Sequence, residues 1–208
     1  MVHNVIFDFG NVLGTLDKHL SCKRLADYSK SLSAQEIYNL LVDGELEKSA
    51  EMGFIDSETF AQRIIEAIDA PTLSPERCIK IWGDIFTHNH GMIELVTNLK
   101  NHGIAIVVLS NTNGVHWQYV RKLDVIRFLE EWGVPFILSY ELGVMKPDPI
   151  IYRSALSALG CAAEDAVFID DIPENVDAAR KLGMAGIEYN GSVQSVDYLR
   201  DKLNRILA

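Results

Sequence analysis

The chain has 208 residues, 48% hydrophobic and 23% charged, with a formal net charge of −10. At roughly 150 residues per domain this is one domain, or one domain with an insertion, and the plentiful aromatic and branched aliphatic residues exclude a disordered chain. The longest apolar run, Ile104 to Leu109, is six residues, which excludes a membrane-crossing helix of ~20 residues, and the acidic balance argues against a nucleic-acid partner.

Val5-Ile6-Phe7 is a short, β-branched apolar run that ends at Asp8, with Gly10 two residues later; this pattern predicts a buried strand. Residues 17 to about 88 carry no convincing strand. Helix signals recur there: a capping box at Ser33-Ala34-Gln35-Glu36, an apolar stripe at Phe60, Ile64, Ile65 and Ile68 after a cap at Asp56, and Ser74-Pro75 as cap and first helical position. From residue 91 the rhythm alternates. Met92, Leu95, Val96 and Leu99 stripe a helix closed by His102-Gly103, and Ile104 to Leu109 is a strand. A helix is expected over Val115 to Leu123 and a strand over Phe136-Ile137-Leu138. Ile151, Ala155, Ala158 and Leu159 mark a helix that Gly160 stops. Ala166 to Ile169 is a strand; Val176, Ala179 and Leu182 stripe a helix ended by Gly183. Ala185 to Glu188 is the last strand, and Val196, Leu199, Leu203 and Ile206 stripe the last helix.

Continuous apolar strands alternating with helices predict a three-layer, Rossmann-like α/β core with a parallel sheet. A structureless loop as long as 17–88 is improbable, so the core is assigned to 1–14 and 90–208 and an all-helical cap to 15–89, inserted after the first strand. Cys22, Cys78 and Cys161 are far apart with no CxxC spacing and read as reduced thiols of a cytoplasmic protein. Val5-Ile6-Phe7 is too short for the apolar region of a signal peptide.

Open α/β sheets bind ligands outside the carboxyl ends of their strands. The residues that follow the apolar runs are Asp8, Ser110-Asn111, Ser139 and Asp170-Asp171. One aspartate after a strand is usually a turn or cap residue; matched groups at four strand ends are harder to explain that way. Carboxylates gathered on one edge repel one another, and a hard divalent cation with oxygen ligands, magnesium, removes the conflict. Lys146, in the loop after the Ser139 strand, is within reach to screen a carboxylate and an anionic substrate.

Phe7-Asp8-Phe9-Gly10-Asn11-Val12, Leu109-Ser110-Asn111-Thr112-Asn113, Lys146-Pro147 and Phe168-Ile169-Asp170-Asp171 with Asn175 resemble, in order and spacing, the four motifs of the haloacid dehalogenase-like hydrolase superfamily. Within it, the segments DFGNVL, LSNTN and ELGVMKP are most similar to the bacterial α-D-glucose-1-phosphate phosphatase branch. The resemblance implies a magnesium-dependent phosphatase of a small phosphorylated metabolite. Asp8 would be the nucleophile that forms an aspartyl-phosphate. Asp8, the Gly10 carbonyl, Asp170 and Asp171 would hold the metal. Ser110 and the Asn111 amide would bind phosphate, Lys146 would balance charge, and Asn175 would support the metal motif. A monomer and a small homo-oligomer fit equally.

Gly10 departs from the pattern. Most phosphatases of this superfamily carry there an aspartate that protonates the leaving oxygen, and losing a general acid–base typically costs about 10²–10⁴-fold. Asp17, His19 or His116 could substitute, set against ordinary surface or capping roles. The departure also keeps two alternatives: a 2-haloacid dehalogenase, which needs no metal and carries no Asp-Asp pair in the fourth motif, and a non-catalytic module that binds phosphate or a partner. His88-Asn89-His90 reads as a hinge rather than a metal pair. Trp82 and Phe86 read as cap core rather than a substrate platform. Gly10-Asn11-Val12-Leu13-Gly14 is no P-loop, because no Gly-Lys-Ser/Thr follows.

Overall fold

Val5, Ile6 and Phe7 have no exposed surface, and the strand they form is the centre of a parallel sheet. The computed structural model describes residues 2–42 and 44–207. In chain order, β1 (Asn4–Phe7) and β2 (Gly14–Leu16) precede five helices: α1 (Lys18–Ala26), α2 (Ala34–Leu41), α3 (Glu45–Glu51), α4 (Ser57–Ala67) and α5 (Pro75–Gly83). Then come β3 (Phe86–His88), α6 (Met92–Asn101), β4 (Ala105–Ser110), α7 (Gly114–Val120), α8 (Asp124–Glu131), β5 (Phe136–Leu138), α9 (Ser139–Leu142) and α10 (Pro149–Leu159). β6 (Ala166–Asp170), α11 (Pro173–Lys181), β7 (Ala185–Glu188) and α12 (Val196–Leu207) complete the chain.

The main sheet runs β5-β4-β1-β6-β7, with every pairing parallel. Successive side chains of a strand point to opposite faces. Val5 and Phe7 therefore pack with Val96 of α6, Ile126 of α8 and Leu199 of α12, while Ile6 packs with Ile151 and Tyr152 of α10 and Ala179 of α11. The result is a three-layer, Rossmann-like α/β architecture. The chain steps outward from β1 through β4 to β5, then returns to β6 on the other side of β1. That reversal opens a crevice at the carboxyl ends of β1, β4 and β6.

Helices α1 to α5 enclose a second apolar cluster that includes Leu25, Ile37, Phe60, Ile64, Ile68 and Trp82. Their starts follow from local chemistry. Ser33 and Glu36 form the expected reciprocal capping box, Asp56 accepts from Thr59 N–H, and Ser74 accepts from Arg77 N–H ahead of Pro75. The two chain crossings between this module and the sheet are bonded to each other. β2 pairs antiparallel with β3, and Thr15 and Thr87 hydroxyls meet at 2.6 Å. Asn89 Nδ2 then donates to the Val12 carbonyl at 2.7 Å and to the Tyr189 hydroxyl at 3.1 Å.

Two expectations need correction. Residues 86–88 close a segment read as free of strands, yet they form β3; a three-residue strand is too short to show a period of two. The helix expected over 115–123 stops at Val120, and a separate α8 follows. No side chain caps α8 at Leu123, so no local start signal marks it. Among the described residues no helix is long and apolar enough to cross a membrane.

The module meets the sheet domain again where α3 contacts α9. Gly53 has φ +69, and a Cβ added there would lie 2.1 Å from the Tyr140 carbonyl oxygen. Gly53→Ala combines a left-handed backbone with overpacking and is expected to cost about 2–4 kcal/mol. Thermal denaturation checks this; an unchanged Tm would mean that the two bodies do not meet here in solution.

Candidate active site

Each strand that flanks the crevice ends on a polar residue. Asp8 follows β1, and its N–H donates to the Ile169 carbonyl at 2.8 Å, which fixes it beside the end of β6. Ser110 is the last residue of β4 and Asp170 the last of β6. Ligand oxygens of Asp8, Asp170 and Asp171 lie within 4.8 Å of one another. Between two of them sits Lys146, whose Nζ donates to Asp8 Oδ1 at 2.5 Å and to Asp170 Oδ2 at 2.6 Å. All three groups are buried.

Each member is itself held. Asp170 accepts from the Ile172 N–H at 2.8 Å and from Asn175 Nδ2 at 3.2 and 3.1 Å on its two oxygens. The Asn175 carbonyl in turn accepts from the Tyr152 hydroxyl at 2.9 Å. Asn111 locks the lysine loop: its Oδ1 accepts from the Lys146 N–H at 2.8 Å and its Nδ2 donates to the Lys146 carbonyl at 3.0 Å. The Asn111 side chain is thereby committed, which leaves its backbone amide as the group able to meet a ligand.

The electrostatics follow from crowding in low dielectric. Burial, with Asp170 and Asp171 adding and Lys146 opposing, pushes the Asp8 carboxyl up to about 7. Asp171 is also raised, by burial first, against a hydrogen bond from Asn11. Burial alone would depress the Lys146 ammonium, but Asp170 and Asp8 more than reverse this and raise it. With all groups ionised, three carboxylates against one ammonium leave an excess of two negative charges. Oxygen donors carrying that excess suit a hard divalent cation.

A cavity of about 280 Å³ opens over this cluster. Asp8, Gly10, Ser110, Asn111, Lys146, Asp171 and Asn175 line it, while Asp170 is fully buried beside them and does not. The helical module supplies another wall, with Lys18, Glu47, Lys48 and Glu51. Lys18 pairs with the buried Glu47 at 3.1 Å.

Other sequence candidates fall elsewhere. Ser139 is buried away from the cavity; its hydroxyl accepts from the Thr112 N–H at 2.9 Å and donates to the Thr112 carbonyl at 3.0 Å, which pins the loop after β4. Trp82 belongs to the module core, but Phe86 does not: it stands edge-on to Phe9 at 5.5 Å and lines the cavity. His88-Asn89-His90 lies in the crossing segment, where Asn89 makes the bonds described above. Two polar residues were missed. Asn11, with φ +53, donates from Nδ2 to Asp171 Oδ2 at 3.0 Å, and Asn190, just beyond β7, reaches the same oxygen at 3.5 Å. Taking the strand-end rule as far as the last strand would have found Asn190.

The family model for haloacid dehalogenase-like hydrolases matches residues 2–183. The chain belongs to this hydrolase family. The resemblance carried by its four motifs is thus borne out at the level of the family. Among its relatives, a sesquiterpene phosphatase of Aspergillus oryzae is 24% identical over 201 residues, covering 94% of this chain and 93% of the relative. A D-ribitol-5-phosphate phosphatase of Bacteroides thetaiotaomicron is 22% identical over 192 residues, covering 88% and 89%. Among solved structures, a family enzyme of Bacteroides thetaiotaomicron, an Asp-to-Ala mutant in complex with magnesium and inorganic phosphate, superposes with a TM-score of 0.84 at 22% identity, covering 96% of this chain and 98% of the other. That family enzyme shares the fold of this chain.

A cation bound by Asp8 must displace the proton that Asp8 holds below about pH 7. Affinity for Mg²⁺ is therefore expected to climb by about tenfold per pH unit up to that point and to level off above it. Calorimetric titration with magnesium chloride across this range checks the sign; a flat profile would remove Asp8 from the ligand set.

Proposed function

We propose that the chain is a magnesium-dependent phosphatase of small, hydrophilic phosphomonoesters, working through an aspartyl-phosphate on Asp8. The observation that carries this reading is the buried cluster in which Lys146 bridges Asp8 and Asp170 with Asp171 close by. A nucleophilic carboxylate, a fixed cation and a divalent-ion site on one cavity wall are what transfer of a phosphoryl group to the protein requires.

Asp8, Asp171 and the carbonyl of Gly10 would hold the metal, with Asp170 beside them. Magnesium, when bound, neutralises charge on the phosphoryl oxygens. The Ser110 hydroxyl and the Asn111 amide receive those oxygens from the β4 side. Lys146 keeps the second cationic contact and orients Asp8 through Oδ1. Asp8 then attacks phosphorus as the bond to the ester oxygen breaks and the alcohol leaves with a proton from solvent; water cleaves the acyl phosphate, which releases inorganic phosphate, returns a proton and regenerates the carboxylate. Asn175 and the Asn111 side chain touch no substrate in this scheme; they hold Asp170 and Lys146 in place.

The cavity favours a polar substrate. Its module wall carries Lys18, Glu47, Lys48 and Glu51, which suit the hydroxyls of a polar substrate, beside the apolar side chains of Leu16 and Phe86. Its volume of about 280 Å³ lies just below the usual range of small-molecule sites and suits a small ligand. A sugar or polyol phosphate fits both features. The dehalogenase alternative is disfavoured by the same cluster: Asp170 and Asp171 add negative charge where a haloacid would bring another carboxylate.

The test is hydrolysis of p-nitrophenyl phosphate and of a panel of sugar 1- and 6-phosphates, a pentitol phosphate and a mononucleotide. Turnover should require magnesium, stop with EDTA and fall to background in Asp8→Asn, with sugar and polyol phosphates leading. Activity that survives Asp8→Asn would refute the nucleophile. Halide release from a 2-haloacid that is indifferent to EDTA would establish the dehalogenase instead.

A further inference from the structure

We propose that His116 is a catalytic residue that donates a hydrogen bond from Nε2 to the departing ester oxygen, a task for which Gly10 offers no side chain; the inference rests on the phosphatase reading above. At Gly10 itself the space is partly taken, since a Cβ there would lie 3.2 Å from Leu16 Cδ2. The group that meets the leaving oxygen has to come from elsewhere on the cavity wall.

Of the three residues that the sequence offers, the structure keeps one. Asp17 accepts from the Leu20 N–H as the cap of α1 and lines a different, open groove near the chain crossings. His19 lies flat against Tyr38, ring centroids 4.1 Å apart, and is not part of the cavity over Asp8. His116 is buried on α7 and lines the same cavity as Asp8.

Its tautomer can be read from its neighbour. Asn113 Oδ1 accepts the His116 backbone N–H at 3.0 Å as the cap of α7, which fixes the orientation of that amide. Asn113 Nδ2 therefore faces His116 Nδ1, at 3.4 Å. An amide nitrogen only donates, so Nδ1 accepts and the ring hydrogen belongs on Nε2. Nε2 is buried and makes no well-formed hydrogen bond among the described residues; the Trp82 backbone comes near the ring without completing one. Buried donors are nearly always satisfied, and a ligand atom in the cavity is the partner this one lacks.

The ring is also held and kept neutral. Trp82 lies parallel to it at 6.0 Å and Phe86 meets it edge-on at 5.2 Å. Burial and the Lys18 ammonium, opposed by the Trp82 backbone, push its pKa down to about 3. Lys18 is itself paired with Glu47. A neutral, fixed imidazole is suited to hydrogen-bond an oxygen on which charge develops.

The experiment compares esters with poor and good leaving groups. In His116→Phe, which removes the donor, kcat with an alkyl ester such as glycerol 2-phosphate should fall by about 10²–10³-fold, while kcat with p-nitrophenyl phosphate changes by about threefold or less, and His116→Gln, whose amide still donates, should recover part of the loss. Equal losses on both esters, or no loss on either, would overturn the assignment while leaving the phosphatase reading intact. A wild-type protein inactive on both esters would overturn that reading and this one together. A measurement on the unaltered protein does not depend on the variants folding: in ¹⁵N-histidine spectra, the His116 Nε2 resonance should be that of the protonated nitrogen and should move when inorganic phosphate is added with Mg²⁺. A resonance that stays in place, or a hydrogen found on Nδ1, contradicts the proposal.

Discussion

A lysine ammonium held between two buried carboxylates organises this protein. Lys146 reaches both Asp8 and Asp170, and all three are buried, so each partner would be costly to leave alone. Breaking a buried pair strands a charge, whereas the intact pair is close to neutral in its effect on stability. The arrangement is thus poorly explained as a device for stability. Placing a third acid, Asp171, beside it makes the local charge worse for folding. That excess is understandable only if something positive is meant to share the site, and the raised Asp8 carboxyl expresses the same imbalance in the language of protons.

The scaffold makes this crowding tolerable by fixing each group twice. β1 and β6 are paired in register along their length, so Asp8 and Asp170 cannot drift apart without breaking the centre of the sheet. Lys146 comes from a loop, which by itself would be mobile, yet Asn111 clamps its backbone on both sides and so ties the lysine to the end of β4. Asn175, backed by Tyr152, does the same for Asp170. The rigid sheet supplies distance, and the amide side chains supply orientation.

This explains what was legible in the sequence. Strand ends are legible because apolar runs stop where the sheet does, and the acids that follow β1 and β6 stand out against hydrophobic residues. Helix starts in the module were legible because capping is local: Ser33 and Glu36 need only each other. Ser139 illustrates the limit. It also follows a strand, but its hydroxyl is consumed by the Thr112 backbone, a partner 27 residues away. Asn11 is comparable, since its contact with Asp171 spans 160 positions and no local pattern announces it. β2 and β3 were hidden for a different reason. They are short, and their pairing depends on the two chain crossings being brought together by the helices between them.

The boundary between the module and the sheet domain is therefore more than a junction. The cavity over Asp8 has one wall from the strand ends and another from Lys18, Glu47, Lys48 and Glu51, so its shape exists only when the two bodies are docked. The ring of His116 on α7 lies against Trp82 of α5, at the same seam. Gly53 against Tyr140 and the β2–β3 ribbon hold the seam at two places. A ligand that contacts both walls must favour the docked arrangement over any undocked one by the difference in its contacts. Water exclusion, substrate choice and the position of the imidazole then depend on the same packing surface, and a substitution at that surface would be felt at Asp8 without touching it.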